Sequence, residues 1–188
     1  MTLMNVMRKY IRERISMEAF GSFGVDHTKL NRGIYLSRKD RIGNGEIFTL
    51  DVRLCKPYYD TVLSNIEAHS LEHILATRLE NILKKSELKK VYVGPMGCST
   101  GMYILIYVPY TLKFTEEEIV ETLMITLQAC TYYHAKEVPF HSYYECGNKL
   151  TLAENGRDMD KVNSRLDEIH SLATKVKENK KFDAYEYL

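Results

Sequence analysis

No apolar run in this 188-residue chain approaches the roughly 18–20 residues that cross a bilayer, and the basic start (Arg8, Lys9, Arg12, Arg14) is followed by no apolar signal core. Neither a membrane span nor a secretory leader is expected, and the expected compartment is the cytoplasm. Charge of one sign is also lacking: 26 Lys plus Arg stand against 25 Asp plus Glu, a formal charge of +1. That leaves no overall field to draw nucleic acid. The four cysteines, Cys55, Cys98, Cys130 and Cys146, form no Cys-x-x-Cys pair, which argues against a disulfide scaffold and a four-cysteine zinc knuckle. There is no internal repeat and no low-complexity tract. What remains, 45% hydrophobic and 27% charged residues, is an ordinary globular composition for one compact domain.

Residues 1–16 are basic and loosely amphipathic and read as an N-terminal extension outside the fold, leaving 17–188 as a single domain. Ile47–Leu54 alternates, with Phe48, Leu50, Val52 and Leu54 on one face and Asp51 and Arg53 on the other, as a half-buried strand does. Val62–Lys85 repeats Ile66, Leu71, Ile74, Leu75, Leu79 and Ile82 at helical spacing. Leu88–Val93 and Met102–Val108 read as strands around a Gly94–Gly97 turn. Thr115 and Glu118 form a capping box opening a helix that is expected to end near His134, and a charged helix is expected over Met159–Glu178. Strands and helices do not alternate regularly. The expected class is therefore α+β, an antiparallel or mixed sheet with helices packed against it.

The strongest local signal is His69-Ser70-Leu71-Glu72-His73. Spacing of i, i+4 on a helix puts both imidazoles on one face, where they can grip one metal ion. Glu72 projects beside that position, placed for proton transfer. The same His-x-x-Glu-His pattern occurs in inverted zinc peptidases. That alternative needs a further carboxylate ligand, for which Glu118 or Glu121 are the nominal candidates. Cys98 lies in the small-residue turn Gly-Pro-Met-Gly-Cys-Ser-Thr-Gly, where a thiol is either a reactive group facing a cleft or a small buried hydrophobe. Cys146, before Gly147, is able to complete a His/His/Cys set with one coordination position open, or to be an ordinary loop residue. A closed structural metal staple is the non-enzymatic alternative. Cys130, among helical leucines, reads as core.

Taken together, His69-x-x-Glu72-His73, Pro-Met-Gly-Cys98-x-Thr-Gly and Cys146-Gly147 resemble the S-ribosylhomocysteine lyase (LuxS) family, from near Ser22 to at least Asn148. The resemblance implies a divalent metal, Fe(II) in cells with Zn(II) or Co(II) possible on isolation, held by His69, His73 and Cys146. It implies Glu72 and Cys98 as acid–base catalysts, and Ser22, His27 and Arg53 as contacts to the small-molecule substrate S-ribosylhomocysteine. It also implies a homodimer formed through the sheet. Two positions depart from the pattern: family members have an aspartate near Tyr92 and an arginine near Glu80, which puts substrate contacts from those places in question.

Overall fold

The structure, a computed structural model, describes residues 24–139, 146–154 and 156–186. The proposed extension 1–16 and Ser22 lie outside the described residues. Within them, four strands form one antiparallel sheet: β1 (Gly33–Ile42), β2 (Gly45–Arg53), β3 (Lys89–Pro95) and β4 (Gly101–Pro109), in the order β1-β2-β4-β3. Three helices accompany it: α1 (Asn65–Leu83), α2 (Glu116–Thr131) and α3 (Gly156–Asn179). The expected α+β class holds.

β1 is the element that the alternation pattern did not reveal. It is an edge strand with a register shift between Leu36 and Arg38, so its side-chain period breaks halfway and its outer half reads as a polar loop. The signal that was available is the tight connection to β2, where Gly43 takes a positive φ of 54°.

Both capping boxes form. Ser64 and Glu67 cap α1, and Thr115 and Glu118 cap α2. The first helix therefore begins at Asn65 rather than Val62. Its last turn departs from the expected stripe, since Leu83 is buried there and Ile82 is 39% exposed. The second helix stops at Thr131, short of His134.

One face of the sheet supplies Ile34, Phe48, Leu50, Val52, Ile104 and Ile106 to a core shared with Leu71, Leu75 and Leu79 of α1, Leu123 and Leu127 of α2, and Leu166 and Ile169 of α3. A fully buried leucine or isoleucine contributes about 1.5–3 kcal/mol relative to exposure, so this layer is what holds the three helices to the sheet.

The expectation of a half-buried β2 is corrected. Thr49, Asp51 and Arg53 on its other face are also buried, Asp51 at 0% and Arg53 at 2% exposure. β2 is an interior strand, and its second face is closed around Asp51 and Arg53 by the turn after β3 and by the C-terminal residues, while Ile47 near its start stays half-buried. Alternation recorded the chemistry of the two faces but not that both are covered.

Candidate active site

α1 carries the first group. His69 and His73 face the same way, their rings 4.9 Å apart at a steep angle. Each uses Nδ1 for support, leaving Nε2 for another partner. His73 Nδ1 lies 3.1 Å from the carbonyl oxygen of Pro139, and His69 Nδ1 lies 2.7 Å from Thr151 Oγ1. The Thr151 hydroxyl donates its own proton to the carbonyl of Asn148 at 3.0 Å. It therefore accepts from His69, which assigns the proton to Nδ1 and the lone pair to Nε2.

The segment that brings Cys146 to the histidines is fastened to α1 by Ala153 N–H, which donates to the buried Ser70 hydroxyl at 2.9 Å. Cys146 Sγ then lies 3.4 Å from His69 Nε2. The ligand atoms of His69, His73 and Cys146 all lie within 4.8 Å of one another. Bonds of ~2.3 Å to sulfur and ~2.0 Å to nitrogen at tetrahedral angles place those two donors about 3.5 Å apart, so the set fits one divalent ion with a position left open. Burial, and then the neighbouring His73, hold the His69 imidazole below the usual histidine range.

Glu72 stands between the two histidines in sequence, half-buried and close enough to act electrostatically on His69. No hydrogen bond to the described residues ties its carboxylate down. Glu118, one of the two carboxylates nominated for a peptidase site, accepts from Thr115 N–H at the start of α2, and neither it nor Glu121 is part of the group.

The second group is built across the sheet. Gly101 opens β4 where an added Cβ would meet the Val52 carbonyl oxygen at 2.2 Å, so only glycine lets the turn before it lie this close to β2. Leu54 and Cys55 N–H both donate to the Thr100 carbonyl, at 3.0 and 2.9 Å. This closeness sets Cys98 beside Arg53, 45 residues away in the chain. Cys98 Sγ is 3.0 Å from Thr100 Oγ1 and 3.6 Å from Arg53 Nη1.

Arg53 is held in turn by Asp51, with Nε donating at 3.1 Å and Nη2 at 2.5 Å, and its Nη1 donates to Thr100 Oγ1. The guanidinium has no lone pair, so Thr100 must accept from it and is free to donate to Cys98. Burial acts to raise the Cys98 pKa, but the hydrogen bonds from Thr100 and the Arg53 charge outweigh it and hold the thiol below the usual range. Cys98 is the exposed cysteine of the set, whereas burial pushes Cys130 up to about 12 and also raises Cys55.

His27 bonds the Val25 carbonyl through Nδ1 at 2.8 Å and lies within electrostatic reach of Asp51. The structure thus brings His69, His73 and Cys146 into one group and Cys98 and Arg53, with His27 nearby, into another. Tyr92 is 49% exposed, and Glu80 pairs with Lys90 at 3.1 Å. Sequence reasoning missed Thr100, Thr151, the Pro139 carbonyl and the pairing of Asp51 with Arg53. Of these, Thr100 stood inside the Cys98 motif and Asp51 and Arg53 stood two apart on one face of a strand, whereas Thr151 and Pro139 carried no signal.

The family sequence model for S-ribosylhomocysteinase (LuxS) matches residues 20–179. The chain is 38% identical over 148 residues to S-ribosylhomocysteine lyase of Borreliella afzelii (strain PKo), covering 79% of this chain and 88% of that one. It is 39% identical over 132 residues to the lyase of Desulfotalea psychrophila, covering 70% and 79% respectively. To the lyase of Clostridium acetobutylicum it is 38% identical over 136 residues, covering 72% and 82%. With the match running through both residue groups and most of the fold, the chain belongs to the S-ribosylhomocysteinase (LuxS) family.

Proposed function

We propose that this protein is an S-ribosylhomocysteine lyase, a carbon–sulfur lyase that splits S-ribosyl-L-homocysteine into L-homocysteine and 4,5-dihydroxy-2,3-pentanedione, the precursor of autoinducer-2. The observation that carries the reading is an exposed thiol, bonded through Thr100 to a buried arginine, in a family member that also holds a His/His/Cys group.

The thioether sulfur sits on C5 of the open-chain sugar and cannot leave until a carbonyl at C3 makes the C4 proton acidic. The carbonyl must therefore move from C1 to C2 to C3. His69, His73 and Cys146 are the residues that hold the ion, with Fe(II) proposed in cells and Zn(II) or Co(II) on isolation. When bound, such an ion polarises the sugar carbonyl and disperses the charge left by a departing proton. Cys98, whose thiolate form Thr100 and Arg53 favour, takes a C–H proton and returns it to the neighbouring carbon. Each shift moves protons within the sugar and changes its overall oxidation state not at all. Glu72 is the second group exchanging protons with the sugar. In the last step the C4 proton is taken, its electron pair forms the new double bond, and the C5–S pair leaves as homocysteine thiolate, which is then protonated. No water or oxidant is consumed.

Four of the five N–H donors of Arg53 are committed to Asp51, Thr100 and Cys98. We therefore assign Arg53 first to holding the thiol, and propose its remaining donor, with Ser22 and His27, for contact with the substrate. No helix among the described residues is long and apolar enough to cross a membrane; the proposed compartment is the cytoplasm, where the four thiols stay reduced.

A homodimer is proposed through the second face of the sheet. There Ile47, Tyr103, Leu105 and Tyr107 are only half-buried, and Val91 and Tyr92 are 46% and 49% exposed. Apolar surface of this kind is what association covers. Light scattering is expected to give about twice 21.9 kDa; a monomer at micromolar concentration with full activity would refute this part. The function is tested by titrating free thiol released from S-ribosylhomocysteine by anaerobically prepared Fe(II) or Co(II) protein. Peptide cleavage without thiol release would overturn the reading.

A further inference from the structure

We infer that the C-terminal segment Asp183–Glu186 is a strap that positions Cys98 through Asp51 and Arg53, with Tyr185 as the positioning residue; the inference rests on the reading of Cys98 as a proton-transferring group. The family match ends at residue 179, so the strap lies past the segment shared with the family model.

The strap is seated on β1 by several independent contacts. Asp183 N–H donates to the Ile34 carbonyl at 3.0 Å, while Ile34 N–H donates to the Asp183 carboxylate at 3.0 Å, and the two chains form a parallel bridge at Tyr35. Lys175 of α3 pairs with the other Asp183 oxygen at 2.9 Å. An added Cβ on Gly33 would lie 2.6 Å from that carboxylate, so β1 is shaped to receive it. Farther along, Asp26 N–H donates to the Glu186 carbonyl at 2.8 Å.

Between these anchors Tyr185 stacks on Tyr35, with ring centroids 4.7 Å apart and planes 9° from parallel. Stacking alone would seat the ring. Its hydroxyl does something else: it donates at 2.8 Å to Oδ2 of Asp51, a carboxylate with no exposure at all. The same oxygen accepts from Arg53 Nη2 at 2.5 Å. A carboxylate held by donors from two sides cannot rotate freely, and its fork fixes the plane of the guanidinium. That plane sets where Nη1 points, which is at Thr100 and Cys98. The row therefore runs from the strap to the thiol as Tyr185, Asp51, Arg53, Thr100, Cys98. Arg53 from β2 and Thr100 from the turn face Cys98; Arg53, Tyr185 and His27 face Asp51.

The test is alkylation of Cys98 by iodoacetamide from neutral to alkaline pH, followed at the Cys98 peptide by mass spectrometry, in wild type and Tyr185→Phe. The variant keeps the stacked ring and removes only the hydroxyl. Expected is a rate about threefold lower at neutral pH, equivalent to roughly half a pKa unit, converging on the wild-type plateau at alkaline pH. Turnover of S-ribosylhomocysteine is expected to show a lower kcat with KM unchanged. Wild-type alkylation at every pH would overturn the proposal, as would a slowing that persists on the alkaline plateau, which reports access rather than positioning. Asp183→Ala, which unpins the strap without touching Asp51, is expected to shift the profile the same way and carries the comparison if Tyr185→Phe does not fold. Alkylation requires neither substrate nor metal. A wild type that releases no homocysteine defeats the lyase reading alone, and an unchanged profile in an active enzyme defeats the strap alone.

Discussion

Thr100→Val is the sharpest perturbation of the thiol, because valine is nearly isosteric and removes only the hydroxyl that joins Arg53 to Cys98. The hydroxyl accepts from Arg53 and donates to the sulfur at 3.0 Å. A hydrogen bond to a charged group contributes about 1.5–3 kcal/mol when well buried. Cys98 is exposed, and water partly replaces the lost donor, so about 1 kcal/mol is the appropriate figure. That corresponds to a rise of roughly 0.7 in pKa. Below its pKa a thiol is a thiolate in proportion to 10 raised to pH minus pKa, so the neutral-pH alkylation rate should fall about fivefold. At alkaline pH both proteins are fully ionised and should react alike. The linkage has the same sign. A thiol held low in the folded state stabilises the fold above the ordinary thiol range, and this contribution is lost as pH falls through the lowered value. Wild type should lose stability on acidification across that window more than Thr100→Val. An unchanged alkylation midpoint in Thr100→Val would refute the argument that this hydroxyl carries the charge of Arg53 to the sulfur.

Glu72→Gln and Cys98→Ala should each lose at least ~10²-fold in thiol release while keeping metal and fold, since positioned acid–base groups contribute typically 10²–10⁴-fold; near-normal release by Cys98→Ala would remove it from the reaction. Cys146→Ala should be nearly metal-free by elemental analysis after dialysis, and full occupancy would show that its sulfur is not a ligand. Thr151→Val should weaken metal affinity by roughly 10–100-fold without removing a ligand, because His69 loses the partner that orients it; a competition titration with a chelator reads this, and unchanged affinity would show that His69 is oriented by packing alone.

Much of this protein was legible along the chain because the governing interactions are short-range. Two histidines four apart on a helix share a face whatever surrounds them, and a capping box closes within four residues, so His69, His73 and the start of α2 follow from spacing alone, whereas the periodicity that placed α1 at Val62 overran the Ser64 cap. The chemistry-bearing motifs were likewise local: Cys98 within its small-residue turn and Cys146 before Gly147. What tertiary structure decided is everything that depends on which distant segments meet. Alternation in β2 separated Asp51 and Arg53 from the apolar face but carried no information about a second cover, because that cover comes from Thr100 and from Tyr185, 134 residues after Asp51. The same holds for Cys146 reaching His69 across 77 residues and for Thr151 orienting that imidazole. Backbone periodicity encodes the direction in which a side chain points. Only packing brings another chain segment there to meet it, and in this protein packing decided that the Cys98 thiol lies against an arginine side chain while those of Cys55 and Cys130 are buried in the core, where burial outweighs the charges of Arg165 and Arg78.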